Sequence, residues 1–310
     1  MRFSRLILLS LFLQCACSRN SNQESIQEVA PERQLSPRKA LDVMSFEKQL
    51  SQRVKKLGRT ETGLTGGFDG VLGPRCSPEQ LVWSNFFFLP PSPGIVSQTE
   101  VEKVLQHPGM KGVKAFPVVL GDNFMNMPLV GALPEMFNVM ERQPGELLRM
   151  AEGRMYSSDR QEAVVGAKAA KESKLKVGDV FQPCHGSSWD EGSMHGVDYV
   201  VVGILEESRT PIDIVIWIPL KGAQNMPGHS SKTVDFVSAV YLKLGAGFNP
   251  VKAQSVISQI NRNQNANMMV VMPVRVAILQ GLKDMTRRMG WLEIWVKEAE
   301  STGRSAGDGK

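Results

Sequence analysis

Apolar residues between positions 67 and 273 fall in short runs separated by glycine, proline and polar breaks, and their spacing predicts alternating strands and helices. Residues 68–73 read as a first strand. The very apolar run 81–89 ends at Pro90, Pro91 and Pro93, which force an extended loop. Residues 97–107 predict an amphipathic helix, with Ser97 or Thr99 as N-cap and Val101, Val104 and Leu105 on one face. Pro108 and Gly109 close it, and strands follow at 113–120 and 127–132. His107, at that helix's C-terminal end, is expected to complement the helix dipole.

From residue 133 the pattern changes. Residues 134–153 look helical and loop-like, 162–166 a short strand, 167–175 a helix and 176–181 a strand entrance. Two strongly β-prone runs follow at 199–205 and 214–220. Residues 235–244, 250–261 and 267–272 then read as strand, helix and strand, echoing the first part of the chain. The fold class expected is therefore α+β: one domain built from two separated segments and interrupted by an inserted mostly-β domain at 133–233.

The flanks differ from this core. Met1–Arg5 is basic, and residues 6–16 are apolar but too few to span a bilayer. Cys15-Ala16-Cys17-Ser18 follows and then a polar run, an arrangement resembling a bacterial lipoprotein signal with Cys17 lipidated. Gln14 departs from the aliphatic residue such signals prefer; an ordinary cleaved signal and a degenerate anchor are the alternatives. The expected organisation is a signal peptide at 1–17, a linker with a short helix at 18–66, and core halves at 67–132 and 234–273 around the insertion. An amphipathic helix at 274–296 and a disordered tail at 297–310 complete it. Ile278, Leu282, Met285, Met289 and Leu292 recur at helical spacing in that last helix, which carries Glu293 and is not membrane-spanning.

Composition narrows the function classes. A hydrophobic content of 42% in 310 residues supports one large core or two smaller ones. A net charge of +5, without a basic stripe interleaved with aromatics, argues against nucleic-acid partners. Sixteen methionines, among them Met125, Met127, Met268 and Met269, read as packing rather than a soft-metal site. Cys76 and Cys184 carry no spacing signature; export permits a disulfide, but two independent thiols are expected. G-x-S-x-G, H-E-x-x-H, C-x-x-C and the Walker A sequence are all absent, so neither an enzyme nor a transport ATPase is expected.

The most distinctive chemistry lies in residues 181–233, which hold three of the four histidines: His185, His195 and His229, each beside a glycine. Three histidines on loops around two strands are candidate Zn²⁺ ligands, with Asp213, Asp190, Cys184 or water as a fourth. The alternative is that they are hydrogen-bonded turn anchors. Shared ligation of one zinc requires the imidazoles to converge within roughly 4–5 Å.

Phe68-Asp-Gly-Val-Leu-Gly-Pro-Arg-Cys-Ser-Pro-Glu-Gln-Leu-Val82 resembles a segment of the extracytoplasmic, MacB-like core domain of FtsX-like ABC transporter permeases. Three further pieces fit the same subgroup in order. They are Leu129-Val-Gly-Ala-Leu-Pro-Glu-Met-Phe137, then Val164-Val-Gly166 with Leu175-Lys-Val-Gly-Asp-Val-Phe181, and then the set His185-Gly, His195, Val202-Gly-Ile-Leu205, Thr210-Pro-Ile-Asp213 and Gly228-His229. Cys76 departs from the glycine of that pattern, and Arg209 from a small residue. The resemblance implies a porter-like α/β part in two segments with an inserted β-rich part. It also implies location on the periplasmic or outer face of a bacterial membrane, a non-enzymatic role in transport coupling or binding, and ABC ATPase and permease subunits as partners. Some such transporters are tied to metal uptake, so a zinc-binding protein associated with uptake is a second expectation. A remnant of a split permease gene is a third.

Overall fold

The structure is a computed structural model, and it describes residues 63–89, 92–228, 234–263 and 265–272. The signal-like segment with Cys17, the helices expected at 41–56 and 274–296, the tail and His229 lie outside those residues. The described residues all belong to one compact unit.

In chain order the strands begin with β1 (Gly70–Pro74), β2 (Val96–Ser97), β3 (Val113–Phe124), β4 (Met127–Ala132) and β5 (Glu141–Gln143). They continue with β6 (Glu146–Leu147), β7 (Met150–Gly153), β8 (Glu162–Val165), β9 (Val180–Phe181) and β10 (Cys184–His185). The last are β11 (Tyr199–Leu205), β12 (Ile216–Pro219), β13 (Phe236–Val237), β14 (Ala239–Leu244) and β15 (Met268–Val271). The helices are α1 (Pro78–Phe86), α2 (Gln98–Leu105), α3 (Ala167–Ser173), α4 (Leu220–Gln224) and α5 (Pro250–Arg262).

Eleven strands form one mixed sheet in the order β15-β1-β14-β3-β4-β12-β8-β11-β7, with β10 added to β3 and β9 to β11. The chain is thus a mixed α and β fold. Strands from its two separated segments sit side by side, because β1 lies between β14 and β15, antiparallel to both. β12 is parallel to β4 and antiparallel to β8. All four β12 residues are buried, which explains their unbroken apolar run: a strand covered on both faces has no polar side to present.

One apolar core packs α2 and α5 on the first part of the sheet. On α5, Ala253, Val256 and Ile257 recur at helical spacing and are buried against Leu72, Val240 and Val270. Fully burying a Val or Ile side chain contributes about 1.5–3 kcal/mol, so this face fixes the helix. Asn249 starts α5 by accepting from the Val251 and Lys252 amides. A second core gathers Leu129, Val165, Phe181, Tyr199, Val201 and Ile216. Met127 and Met268 are buried within these cores, as their reading as packing residues requires, whereas Met125 is exposed.

The structure fills in a stretch that the sequence reading left unassigned and departs from that reading elsewhere. The run ending at residue 89 contains α1, started by Ser77, which accepts from the Gln80 amide, with Pro78 at the first helical position. Its buried face includes Phe86, whose ring packs on Tyr241, while the Tyr241 hydroxyl donates to the Asn85 carbonyl. Residues 134–153 form a 3-10 turn, the β5–β6 hairpin and β7 rather than a helix. His107 caps the turn after α2 by accepting from the Gly109 amide at 3.0 Å; it is an acceptor there, not a cation on a helix end.

The Gly73-Pro74-Arg75 motif has a structural role. The Arg75 guanidinium donates to five carbonyls, those of Ile260, Asn261, Asn263, Ala266 and Met268, at 2.8–3.0 Å. These are the last carbonyls of α5 and the turn into β15, where a cation also meets the negative end of the helix dipole.

Candidate metal centre

The site begins with an irregularity in β3. Between Leu120 and Asp122 the register with β4 shifts, and Gly121 takes a φ of 149°. The bulge re-aims the strand that follows it. β10 then pairs antiparallel with this end of β3, setting His185 opposite Asp122 and Cys184 opposite Asn123. The Gly186 amide donates to the Gly121 carbonyl at 2.8 Å and fixes that register.

The loop from His185 to His195 is closed at its base and pinned along its length. Cys184 bridges to Met194, and the His195 amide donates to the Pro183 carbonyl at 3.0 Å. The Asn123 side-chain amide donates to the Gly186 and Ser188 carbonyls, and the Trp189 amide to the Asn126 side chain. The Trp189 ring meets Phe124 edge-on at 5.2 Å. Together these return the chain so that His195 faces the same carboxylate as His185.

Asp122 Oδ1 lies 3.0 Å from His195 Nε2 and 3.3 Å from His185 Nδ1. One ligand atom from each of the three residues falls within 4.8 Å of the others, and the two imidazole centroids are 5.5 Å apart. Asp122 and His195 have side chains only 4% exposed, whereas that of His185 is 64% exposed. The cluster therefore has a buried floor and an open rim. His195 Nδ1 is 2.6 Å from the Pro227 carbonyl oxygen, which can only accept, so Nδ1 carries a hydrogen and Nε2 is the ring atom that faces Asp122. The Tyr199 hydroxyl is pushed up to about 12, first by burial and then by the negative charge of Asp122.

The expected ligands divide as follows. His185 and His195 converge; His229 lies outside the described residues. Asp213 is not in the group: its carboxylate accepts from the Ser208 and Arg209 amides and the Ser208 hydroxyl, holding the turn that begins at Thr210. Asp190 caps its own turn through the Gly192 amide and the Ser193 hydroxyl, which hold its carboxyl below the usual range. Cys184 is buried, and its sulfur exchanges contacts with the Asp190 backbone. Cys76 and Cys184 are both thiols, as expected. Asp122 is the member that the sequence reading passed over. Its signal was the Gly-Asp-Asn break in an otherwise apolar strand.

Among the described residues no helix is long and apolar enough to cross a membrane. No curated protein matches the chain. Among solved structures it is similar to the extracellular domain of the noncanonic ABC-type transporter YknZ from Gram-positive bacteria. The identity is 15% and the TM-score 0.37, over 65% of this chain and 98% of that one. The sequence model of the MacB-like periplasmic core domain matches residues 78–260, more than half of the chain, and the chain belongs to that family.

Proposed function

We propose that this protein is an exported, non-enzymatic module that works beside the ATPase and permease subunits of an ABC transporter, coupling their movement or binding a partner outside the membrane. The observation that carries this reading is the family match over residues 78–260, a domain that the family's name places in the periplasm. Anchoring through a lipid on Cys17 belongs to the same proposal and rests on the Cys15–Ser18 sequence.

Cross-linking the tagged full chain in its own host, followed by mass spectrometry of the membrane fraction, tests the reading. ATPase and permease subunits of one ABC transporter are the expected partners. A chain that fractionates with the cytoplasm and cross-links to no transporter subunit would overturn it. Metabolic labelling with an alkyne fatty acid tests the anchor: the wild-type chain takes up label and Cys17→Ser does not.

A further inference from the structure

We propose that Asp122, His185 and His195 form a binding site for a divalent first-row transition metal, with Zn²⁺ as its reference ion. The site is independent of the coupling role, since it rests on side-chain geometry and not on the family.

Three features of the cluster carry the assignment. The first is spacing. Zinc bound tetrahedrally at 2.0–2.1 Å places neighbouring ligand atoms about 3.3 Å apart. The Asp122–His195 and Asp122–His185 separations are 3.0 and 3.3 Å, and the imidazole donors, within 4.8 Å, would draw toward each other to seat an ion. The second is the shell behind the ligands. A ligating histidine commonly donates its other ring N–H to a carbonyl or carboxylate, which fixes its tautomer and orientation. His195 does this through Nδ1 to Pro227, leaving Nε2 as the atom directed at the carboxylate. Nε2 and the carboxylate oxygen, 3.0 Å apart, can share either a proton or a metal ion.

The third feature is the balance of burial. Asp122 and His195 are held within the protein, and His185 stands at the rim, giving an ion a route in and leaving further coordination positions to water. The donor set of two imidazoles and one carboxylate suits zinc and its neighbours rather than calcium or magnesium, which take oxygen. A bound ion would join the β3 bulge, the β10 end and the chain at His195 by coordination.

The test uses the full chain stripped of metal, with Co²⁺ as the spectroscopic probe and Zn²⁺ as competitor. The expected result is one Co²⁺ per chain, with visible bands of nitrogen and oxygen ligation and without thiolate charge transfer, displaced by one Zn²⁺. His185→Ala and Asp122→Asn should each weaken binding at least about tenfold, because loss of a direct ligand costs no less than loss of a supporting one. His107→Ala, at the turn after α2, should bind as the wild type does. His185 is mostly exposed, so apo His185→Ala should keep the wild-type circular dichroism even if Asp122→Asn folds poorly. Undiminished binding by His185→Ala, a thiolate band, or no saturable binding to the wild type would each overturn the site.

Discussion

Glu162, at the start of β8, accepts two hydrogen bonds from the Arg154 guanidinium at 2.7 and 2.8 Å and one from the Ser157 amide. The Arg154 bonds, helped by that amide and opposed by burial, hold its carboxyl at about 2 instead of the ordinary 4.5. A depressed folded pKa stabilises the native state fully above the ordinary value and loses that effect as pH falls from about 4.5 toward 2. Glu162→Gln should therefore lower stability by about 1–2 kcal/mol near neutral pH, a charge-assisted bidentate pair being replaced by weaker neutral contacts. Urea unfolding at pH 7 and near pH 2.5 checks it; the gap between variant and wild type should shrink at the lower pH. Gly153 makes a steric prediction. Its φ is +75°, and a Cβ there would meet the Val202 carbonyl oxygen at 2.1 Å. Gly153→Ala should cost about 2 kcal/mol or more, read as a lower midpoint in the same titration, because both the backbone region and the β7–β11 contact are closed to a side chain. At this scale the sequence was informative about some side chains and silent about others. His185 and His195 stood out because each has a glycine beside it. Asp122 did not, since only the Gly121 bulge and the β3–β10 pairing bring it to them. Asp213 does not join them, because its carboxylate accepts from the backbone and hydroxyl of the turn at Ser208–Thr210.

The elements were legible where their period was long. The spacing of α5 and the buried run of β12 follow from residue pattern alone, whereas the single strand expected over 235–244 is divided into β13 and β14. The β5–β6 hairpin did not, because strands of two or three residues have no period to detect. α1 was hidden by its aromatic run, which suits a strand as well as a helix, although Ser77-Pro78-Glu79 is a helix start. Arg75 belongs to this scale because it ties one element to another. Its planar fork reaches five carbonyls that no single ammonium could satisfy together. Arg75→Ala should lower stability by about 2–4 kcal/mol, and Arg75→Lys should recover less than half of that. Faster amide exchange in the last turn of α5 would locate the loss; uniform exchange across the sheet would place it elsewhere.

Across the described residues, the two apolar cores named above are joined through hydrogen-bonded strands, since β3 and β4 carry the sheet from β14 to β12. A continuous ladder makes independent melting of either side costly, because one edge would be left with unpaired backbone groups. Native-state hydrogen exchange should accordingly give the slowest amides of β14 and β12 the same protection and the same denaturant dependence. Clearly separated values would mean that the two sides open as separate units.

The arrangement of β1 and β15 has a mechanical side. They are antiparallel neighbours, with Val71 opposite Val271, so the chain comes into the sheet and leaves it side by side. Tension drawn through both of those flanks at once acts on the same end of the ladder and would peel its hydrogen bonds in sequence, Val71 and Val271 first, instead of loading them together in shear. When the flanks travel in step, no tension develops across the pair, and the sheet is carried along as one piece.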